Sequence, residues 1–353
     1  MAGENVRENT PANRKISTVL KSGLEVAAVI RLGTPRTGKP RRRLGRRGLN
    51  KLQTEWIAVD WGTSNLRAWG ISRDGGISFS RSSDRGMGKL AREEYPGVLS
   101  GLLDEEVSGV SEVVICGMAG ARQGWLEAPY LDAPADLAGL IFSAVTPDMP
   151  GSQLQPRILP GVCQKASGAE DVMRGEETQL LGLSALRPGF SGLVIMPGTH
   201  SKWALLDGTK IDRFTTAMTG ELFEVLKTHS VLRHSLQGDL DGPERSEGFA
   251  AGLAIGIERP ERLTATLFKV RAGSLLSGRT APWCAGFLSG LLIGAEVGGQ
   301  KDWLVGGEVP LIGGTGLCNL YVQALASVGA IGRIIDATEA TIAGLKTARK
   351  AQA

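Results

Sequence analysis

Apolar residues recur along the chain in short blocks that end in polar, glycine-rich turns, and the first block starts at Trp56. The segment WIAVDWGTSNLRAWGISRDGG, residues 56–76, predicts two β-strands joined by a Gly/Thr/Ser turn and closed by a second turn. The segment GLVIMPGTHSKWALLDGTKI, residues 192–211, repeats the order of strand, polar loop, strand and turn. The pattern therefore predicts two hairpins of one design, each with a polar loop at its tip.

Strand-like and helix-like stretches alternate through the rest of the chain, which favours an α/β fold with helices packed on sheets. The predicted elements are an apolar strand at residues 113–116 before a glycine-rich turn, helical stretches at 171–186, 219–236 and within 249–297, a strand at 309–312, and helices at 319–326 and 336–350.

The length of 353 residues and a hydrophobic fraction of 42% indicate about two folded domains. We expect an N-terminal domain over residues 55–187 and a C-terminal domain over 188–353, with the last helix packing back on the first domain. Residues 1–54 lack helical or strand periodicity and are expected to be a disordered extension.

Positive charge is concentrated in that extension. Residues 1–51 carry 13 Lys and Arg against three acids, whereas the remainder carries 27 against 33. The net charge of +4 thus divides into +10 and −6, and the folded body is not expected to bind nucleic acid. A nucleic-acid or targeting arm, or a start codon placed too early, would account for the same basic segment.

The four cysteines are far apart and form no C-x-x-C pair, which is typical of buried thiols in a reducing cytosol. We find no apolar run approaching the roughly 18 residues that span a bilayer, so neither a membrane span nor membrane binding is expected. These features predict a cytoplasmic protein, and a homodimer is compatible with them.

The first polar loop carries the clearest candidate chemistry. A turn rich in glycine and small hydroxyls lets backbone N–H groups approach phosphate oxygens, and a carboxylate at the strand end can hold a hydrated divalent cation. Asp60 is therefore the candidate metal ligand, although D-x-G-T is also an ordinary hairpin turn. The phosphate-binding candidates of this loop are Gly62, Thr63, Ser64 and Asn65.

The second polar loop and a later glycine-rich turn extend this nucleotide prediction. Lys202 can offset negative charge on a phosphate, and glycines between a strand and a helix let an adenine ring lie against the backbone. The spacing does not give the G-x-x-x-x-G-K-[ST] loop. The candidates are Gly198, Thr199, His200 and Ser201 in the second loop, and Gly313, Gly314 and Leu317 in the later turn.

Phosphoryl transfer to a hydroxyl also needs a carboxylate that accepts the proton of the attacking oxygen. The segment RGEETQLLG, residues 174–182, places two glutamates at a predicted helix start, where the helix dipole favours ionised carboxylates. Glu176, Glu177 and the nearby Asp171 are the candidate bases. The two glutamates could instead only cap the helix.

The order of these loops resembles the superfamily of acetate and sugar kinases, heat-shock chaperones and actin. Within it, the chain is similar to the 2-dehydro-3-deoxygalactonokinase family from about Trp56 to Leu345. The stretches that carry the resemblance are DWGTSNLRAW, GMAGARQGW, RGEETQLLG, MPGTHSKW, MTGELFEVL, LSGLLIGAE and LIGGTGLCNLY.

The resemblance implies two RNase H-like domains that close over ATP and magnesium. It implies transfer of the γ-phosphate to the 6-hydroxyl of 2-dehydro-3-deoxy-D-galactonate, in galactonate catabolism, with Glu176 as the base and Asp60 and Lys202 assisting. Other carbohydrate kinases of this kind have Asp at the position that Glu176 would fill, which leaves Glu177 and Asp171 open.

A guanidinium matches a sugar-acid carboxylate in a bidentate way that an ammonium lacks. Arg122 and Arg67 are the best-placed arginines, although Arg67 could equally pair with Asp60 or Glu176. The remaining substrate-binding candidates are Asp84, Gly86, Met118 and Gln123. Other functions compatible with the sequence are a kinase of another sugar acid such as the gluconate epimer, a sugar-sensing regulator without catalysis, and a filament-forming nucleotide-binding protein.

Overall fold

The computed structural model describes residues 53–103, 109–304 and 306–351, within one compact unit, Asn50–Ala353. Its strands are β1 (Thr54–Trp61), β2 (Leu66–Ser72), β3 (Ile77–Ser83), β4 (Glu112–Gly117), β5 (Tyr130–Asp132), β6 (Ala135–Asp136), β7 (Gln155–Ile158), β8 (Gly161–Gln164), β9 (Asp171–Met173), β10 (Ser191–Met196), β11 (Ser201–Asp207), β12 (Lys210–Ala217), β13 (Glu308–Gly313) and β14 (Ile331–Asp336). Its α-helices are α1 (Tyr95–Leu103), α2 (Glu176–Leu186), α3 (Thr219–Thr228), α4 (Glu244–Glu258), α5 (Leu263–Leu267), α6 (Lys269–Ser277), α7 (Ala281–Gly299), α8 (Thr315–Ala326) and α9 (Ala337–Lys350).

The first sheet has the strand order β3-β2-β1-β4-β7. β1 and β2 form the predicted antiparallel hairpin, and β4 lies parallel to β1, which brings Asp60 level with Cys116 and Trp61 level with Gly117. β1 begins at Thr54, two residues before the predicted start, and residues 1–52 of the predicted extension lie outside the described residues. The carboxyl ends of β1 and β4 therefore meet at one edge of the sheet.

The second sheet has the order β14-β13-β10-β11-β12-β6 and contains the second predicted hairpin, β10–β11. β13 runs parallel to both β10 and β14. A small third sheet has the order β5-β8-β9. The protein is thus an α/β fold with mixed sheets, as the alternation of elements predicts.

Helices α2 and α9 lie between the first two sheets. One buried apolar cluster contains Ala58 of β1, Leu181 of α2, Leu345 of α9 and Val194 of β10. The outer face of the first sheet packs on α1, and that of the second packs on α4, α7 and α8. The last helix also touches the first sheet directly, since the Arg349 guanidinium lies 2.9 Å from the Glu112 carboxylate.

Glycines set the close approach of the helix pairs. A Cβ on Gly182 of α2 would lie 1.8 Å from the carbonyl oxygen of Ala340 in α9, and one on Gly344 would lie 1.9 Å from that of Thr178. Along the α4–α7 contact, a Cβ on Gly290 would lie 2.1 Å from the carbonyl oxygen of Phe249. The backbones of both pairs therefore touch without side chains between them.

Helix α7 is apolar and long enough to cross a membrane by length and composition, contrary to the expectation that no segment approaches this limit. It has 19 residues, and 72% of its most apolar window is buried inside the protein. The requirement for a continuous apolar run did not identify α7 because small and polar residues interrupt its apolar ones. Its burial makes it the core helix of the outer layer.

Two predicted boundaries were wrong. The stretch predicted as helix from residue 171 begins with the strand β9, and α2 starts only at Glu176. β9 has three residues, too few to show a period of two, and it is defined by its pairing with β8. Helix α8 begins at Thr315, four residues before the predicted start.

We expect Gly290→Ala to lower the free energy of unfolding by about 1–3 kcal/mol, because the added methyl overlaps the α4 backbone. The matched control is Gly299→Ala in the same helix, where no atom lies within 4 Å of the added Cβ and helix propensity favours alanine. Urea unfolding of both variants measures the difference. Equal or greater stability of Gly290→Ala would contradict the close contact.

Candidate active site

The first polar loop, residues 62–65, is the predicted first phosphate loop. It follows β1 and is closed by a hydrogen bond from Gly62 N–H to the Asn65 carbonyl, 2.8 Å. The segment that contains Met87 packs against this loop, since Met87 N–H donates to the Gly62 carbonyl at 3.0 Å. A Cβ on the buried Gly86 would lie 2.5 Å from Asn65 N. Gly86 is thus placed under the loop, with no room for a side chain.

Asp60 ends β1 beside this loop, and its carboxylate pairs with the Arg67 guanidinium. Arg67 also donates to the Thr338 hydroxyl of α9 at 2.9 Å and stacks over the Trp69 ring at 5.4 Å. Asp60, Glu176 and a substrate carboxylate were the candidate partners of Arg67, and in the structure Arg67 pairs with Asp60. The pairing connects the metal candidate to the last helix.

A magnesium ion fits the donors around Asp60. In the described part of the chain no group of three or more His, Cys, Asp or Glu side chains could hold a metal. Mg²⁺ in phosphate-transferring sites keeps several waters and needs only one or two carboxylates together with substrate phosphates. A single carboxylate, 17% exposed at the edge of a phosphate loop, meets that requirement.

The second phosphate loop, after β10, lies against the first turn of α3. A Cβ on Gly220 would lie 2.8 Å from the Thr199 Cα, and Glu221 N–H bonds to the Thr199 carbonyl at 2.9 Å. His200 pairs with the Glu221 carboxylate, so its side chain has the hydrogen-bonding role expected of a loop histidine. The N-terminus of α3, which favours negative charge, therefore adjoins the loop.

Two cavities meet at Thr199. One, of about 620 Å³, is lined by Asp60, Arg67, the first phosphate loop and Thr199. The other, of about 720 Å³, is lined by Thr199, Gly198, the first turn of α3 and mainly apolar side chains of α7 and α8, among them Leu317. Both volumes are in the range of small-ligand sites. A polar cavity and an apolar one thus share Thr199 of the second loop.

The predicted adenosine turn forms a wall next to this junction. A Cβ on Gly313 would lie 2.9 Å from the Pro197 carbonyl oxygen, so β13 ends in contact with the second loop. Gly314 is the N-cap of α8, and Leu317 in the first turn of that helix lines the apolar cavity. The structure brings the three predicted nucleotide segments together around the two cavities.

Glu176 lies at the start of α2, beside the end of β4. A Cβ on Gly175 would lie 3.3 Å from the Gly117 Cα, which places this turn at the sheet edge that carries Asp60. Lys202, the second residue of β11, is nearly buried, and its Nζ is 3.7 Å from Glu176 Oε1. Glu176 Oε2 also accepts from Arg174 N–H at 3.1 Å, which is a capping contact.

Glu177 differs from its neighbour in being fully buried. Its two carboxylate oxygens accept from Gly175 N–H at 2.9 and 2.7 Å. Burial and the adjacent Glu176 charge raise the pKa of Glu177 to about 8. The side chain therefore holds the turn before α2.

The 2-keto-3-deoxy-galactonokinase family matches residues 60–348 of the chain, which is more than half its length. The chain belongs to this family. A Rhizobium meliloti protein named "Probable 2-dehydro-3-deoxygalactonokinase DgoK1" is 43% identical over 300 residues, covering 84% of this chain and 97% of that protein. The 2-dehydro-3-deoxygalactonokinase of Escherichia coli is 36% identical over 297 residues, covering 84% and 98%.

A solved structure agrees with this membership in the 2-keto-3-deoxy-galactonokinase family. The crystal structure of a family protein from Sinorhizobium meliloti superposes with a TM-score of 0.77 at 41% sequence identity. The match covers 84% of this chain and 99% of the other. The resemblance inferred from the ordered motifs is confirmed.

Most of the other predicted site residues of this family member lie outside the linings of the two cavities. Asp171 accepts from the Thr216 hydroxyl at 2.6 Å and lines a separate groove with Gln164 and Trp303. Arg122 is 81% exposed and pairs with Glu127 at 3.3 Å, and Gln123 beside it is exposed. Met118 is half-buried in the turn after β4, whereas Asp84 lines the polar cavity and pairs with Lys89.

Glu296 and Arg174 were not among the site residues predicted from the sequence. Glu296 is buried in α7 and accepts hydrogen bonds from residues around the apolar cavity. Arg174 packs over the Tyr130 ring at 4.2 Å and donates to the Ala128 carbonyl at 2.8 Å. Glu296 has a local signal, since it is the one charged residue of the 19-residue helix α7.

The raised pKa of Glu177 predicts a pH dependence of stability. Unfolding lowers its pKa from about 8 to 4.5, so the folded state binds more protons between these values and loses stability as pH rises through this window. Glu177→Gln removes this loss, and its stability relative to the unmodified protein should rise between about pH 5 and 8. Urea unfolding at several pH values measures it.

The control is Glu93→Gln, which changes an exposed carboxylate. Its stability difference from the unmodified protein should stay nearly constant over the same range. A constant difference for Glu177→Gln as well would mean that the buried carboxyl titrates as it does in the unfolded chain.

Proposed function

We propose that this chain transfers the γ-phosphate of ATP to the 6-hydroxyl of 2-dehydro-3-deoxy-D-galactonate, yielding 2-dehydro-3-deoxy-6-phosphogalactonate and ADP in galactonate catabolism. The observation that carries the proposal is Thr199, which lines both the apolar and the polar cavity. With the adenine ring of ATP in the apolar cavity, the phosphates are directed to Asp60 in the polar cavity. The location that suits this metabolic step is the cytoplasm.

The fold we infer for this reaction is a pair of RNase H-like domains, each led by one of the two hairpins, with the nucleotide between them. Each hairpin carries a polar loop at the end of a buried strand. In this arrangement the sugar acid and the nucleotide approach the shared edge from opposite sides. Domain closure would then exclude water from the transferred phosphate.

The nucleotide is bound by the three segments around Thr199. The adenine ring occupies the apolar cavity against Leu317, and backbone N–H groups of the two loops bind the phosphates. Asp60 would hold Mg²⁺ through its waters, and the ion supplies charge neutralisation on the β- and γ-phosphates when bound. Arg67 keeps the Asp60 carboxylate oriented toward the cavity.

Glu176 is the base that the geometry favours. It is partly exposed and pairs with Lys202, whereas Glu177 is fully buried and Asp171 lines another groove. As the oxygen of the 6-hydroxyl bonds to the γ-phosphorus, the bond to the ADP oxygen breaks and the hydroxyl proton passes to the Glu176 carboxylate. Lys202, 3.7 Å away, offsets charge on the phosphoryl group.

The substrate carboxylate needs a cationic partner, and Arg122 is the candidate whose side chain is most free to reach it. Its 81% exposed guanidinium has an exposed ion pair, which contributes little and is easily exchanged. Arg67 is already engaged by Asp60 and Thr338. Gln123 then binds a substrate hydroxyl.

A coupled ADP-release assay with Mg-ATP tests the function. We expect turnover with 2-dehydro-3-deoxy-D-galactonate and at least ten-fold lower kcat/KM with neutral sugars, because these leave a carboxylate-binding arginine without its partner. The gluconate epimer is the closest comparison. Preference for that epimer would assign the chain to another sugar acid, and no turnover with any of these compounds would contradict the proposed reaction.

Glu176→Gln should lower kcat by about 10²–10⁴-fold with little change in the KM for ATP, since it removes the proton acceptor and keeps the shape. Steady-state kinetics measures the effect. Asp171→Asn is the matched control and should retain nearly full activity. Full activity of Glu176→Gln together with loss in Asp171→Asn would transfer the role of the base to Asp171.

A further inference from the structure

A buried carboxylate joins the segments that surround the apolar cavity. Glu296 in α7 is 8% exposed, and its Oε1 accepts from the Trp203 indole N–H at 2.7 Å. Its Oε2 accepts from the Tyr321 hydroxyl at 2.6 Å and from the Thr219 hydroxyl. The Ser201 hydroxyl lies 2.8 Å from that of Tyr321 and completes the network.

The donors belong to segments of the nucleotide site. Ser201 and Trp203 flank Lys202 in β11, directly after the second phosphate loop. Thr219 is the first residue of α3, and it lines the apolar cavity together with Tyr321 of α8. One side chain thus contacts the strand behind the phosphate loop, the helix start beside it and the helix that forms the cavity wall.

We propose that Glu296 is a positioning residue for the nucleotide, and this inference rests on the proposed function. Its carboxylate does not line either cavity. It acts by holding Thr219, Trp203 and Tyr321, and through them the Gly198–Thr199 backbone and the cavity wall, in the arrangement that binds ADP and ATP.

The chemistry of the network requires a carboxylate. Three donors converge on two oxygens, and each donor is a hydroxyl or an indole N–H. Burial raises the pKa of Glu296, whereas the bonds from Thr219, Trp203 and Tyr321 favour its ionised form. A glutamine would replace one of these oxygens by an NH₂ group, so at least one of the three bonds would be lost or would have to reverse its direction.

The helix that carries Glu296 is held rigidly. A Cβ on Gly286 would lie 2.0 Å from the Arg245 carbonyl oxygen, and one on Gly294 would lie 2.6 Å from that of Leu253, both in α4. Because the two backbones touch over these turns, α7 cannot shift to follow a loop that moves. The network therefore attaches the second loop and the start of α3 to a closely packed helix pair.

The test is Glu296→Gln, with ADP affinity measured by calorimetry and KM measured for both substrates. We expect ADP to bind about ten-fold more weakly, which corresponds to the loss of about one charge-assisted hydrogen bond, and the KM for ATP to rise by a similar factor. The KM for the sugar acid should change less than two-fold. General destabilisation of the fold is not expected to raise the KM for ATP while leaving the KM for the sugar acid nearly unchanged.

The matched control is Glu247→Gln. Glu247 also accepts from an indole N–H, that of Trp283 at 3.2 Å, but at the opposite end of α7 and outside the cavity lining. We expect this variant to bind ADP as the unmodified protein does. Weakened binding in both variants would overturn the assignment to Glu296.

A double-mutant cycle covers the case in which Glu296→Gln folds poorly. Tyr321→Phe removes one donor and should weaken ADP binding about two- to five-fold, and its effect should be smaller in the Glu296→Gln background because the two groups are coupled. If Tyr321→Phe and every soluble Glu296 variant bind ADP normally, the inference is wrong. If the unmodified protein itself fails to bind ADP, the proposed function is wrong.

Discussion

The contact between α2 and α9 is the constraint on which the rest of the structure depends. Gly182 and Gly344 let the two backbones touch, so the helix pair fits between the two main sheets. Glu176 stands at the first turn of α2 and faces Lys202 of the second sheet, while α9 contacts Arg67 of the first sheet through Thr338. The spacing of this layer therefore sets the separation of the two phosphate loops and of the charges between them.

Acidic side chains are paired with basic ones around the α2–α9 helix layer. Asp60 pairs with Arg67 at the first sheet, Glu176 with Lys202 at the second, and His200 with Glu221 beside the second loop. A polyphosphate and a divalent cation bring both signs of charge, so a site with both kinds of residue can bind them without an unpaired buried charge. The hydrogen-bond network around Glu296 supports the apolar side of the same site.

Local signals in the sequence were sufficient to predict both hairpins and the polar loops at their tips, because a short Gly/Thr segment between two apolar strands is a strong turn signal. They also predicted the start of α9 at Asp336, whose side chain accepts from Glu339 N–H. Contacts between distant residues could not be predicted in this way, as the bond between Arg67 and Thr338 illustrates. The difference between Glu176 and Glu177, neighbours in sequence, depends on tertiary contacts, since Glu176 pairs with Lys202 of β11 and Glu177 is fully buried. For Glu296 the single charge in an apolar helix was a usable signal, but its donors come from three separate segments.

In the proposed binding mode the nucleotide occupies both cavities that Thr199 lines, with its phosphates between the two loops. A crystal structure of the protein with Mg²⁺ and a non-hydrolysable ATP analogue tests this binding mode. We expect the adenine base beside Leu317 in the apolar cavity, the phosphates over Gly198 and Thr199, and the metal on the Asp60 side. A nucleotide bound elsewhere, such as in the groove between Gln164 and Trp303, would contradict it.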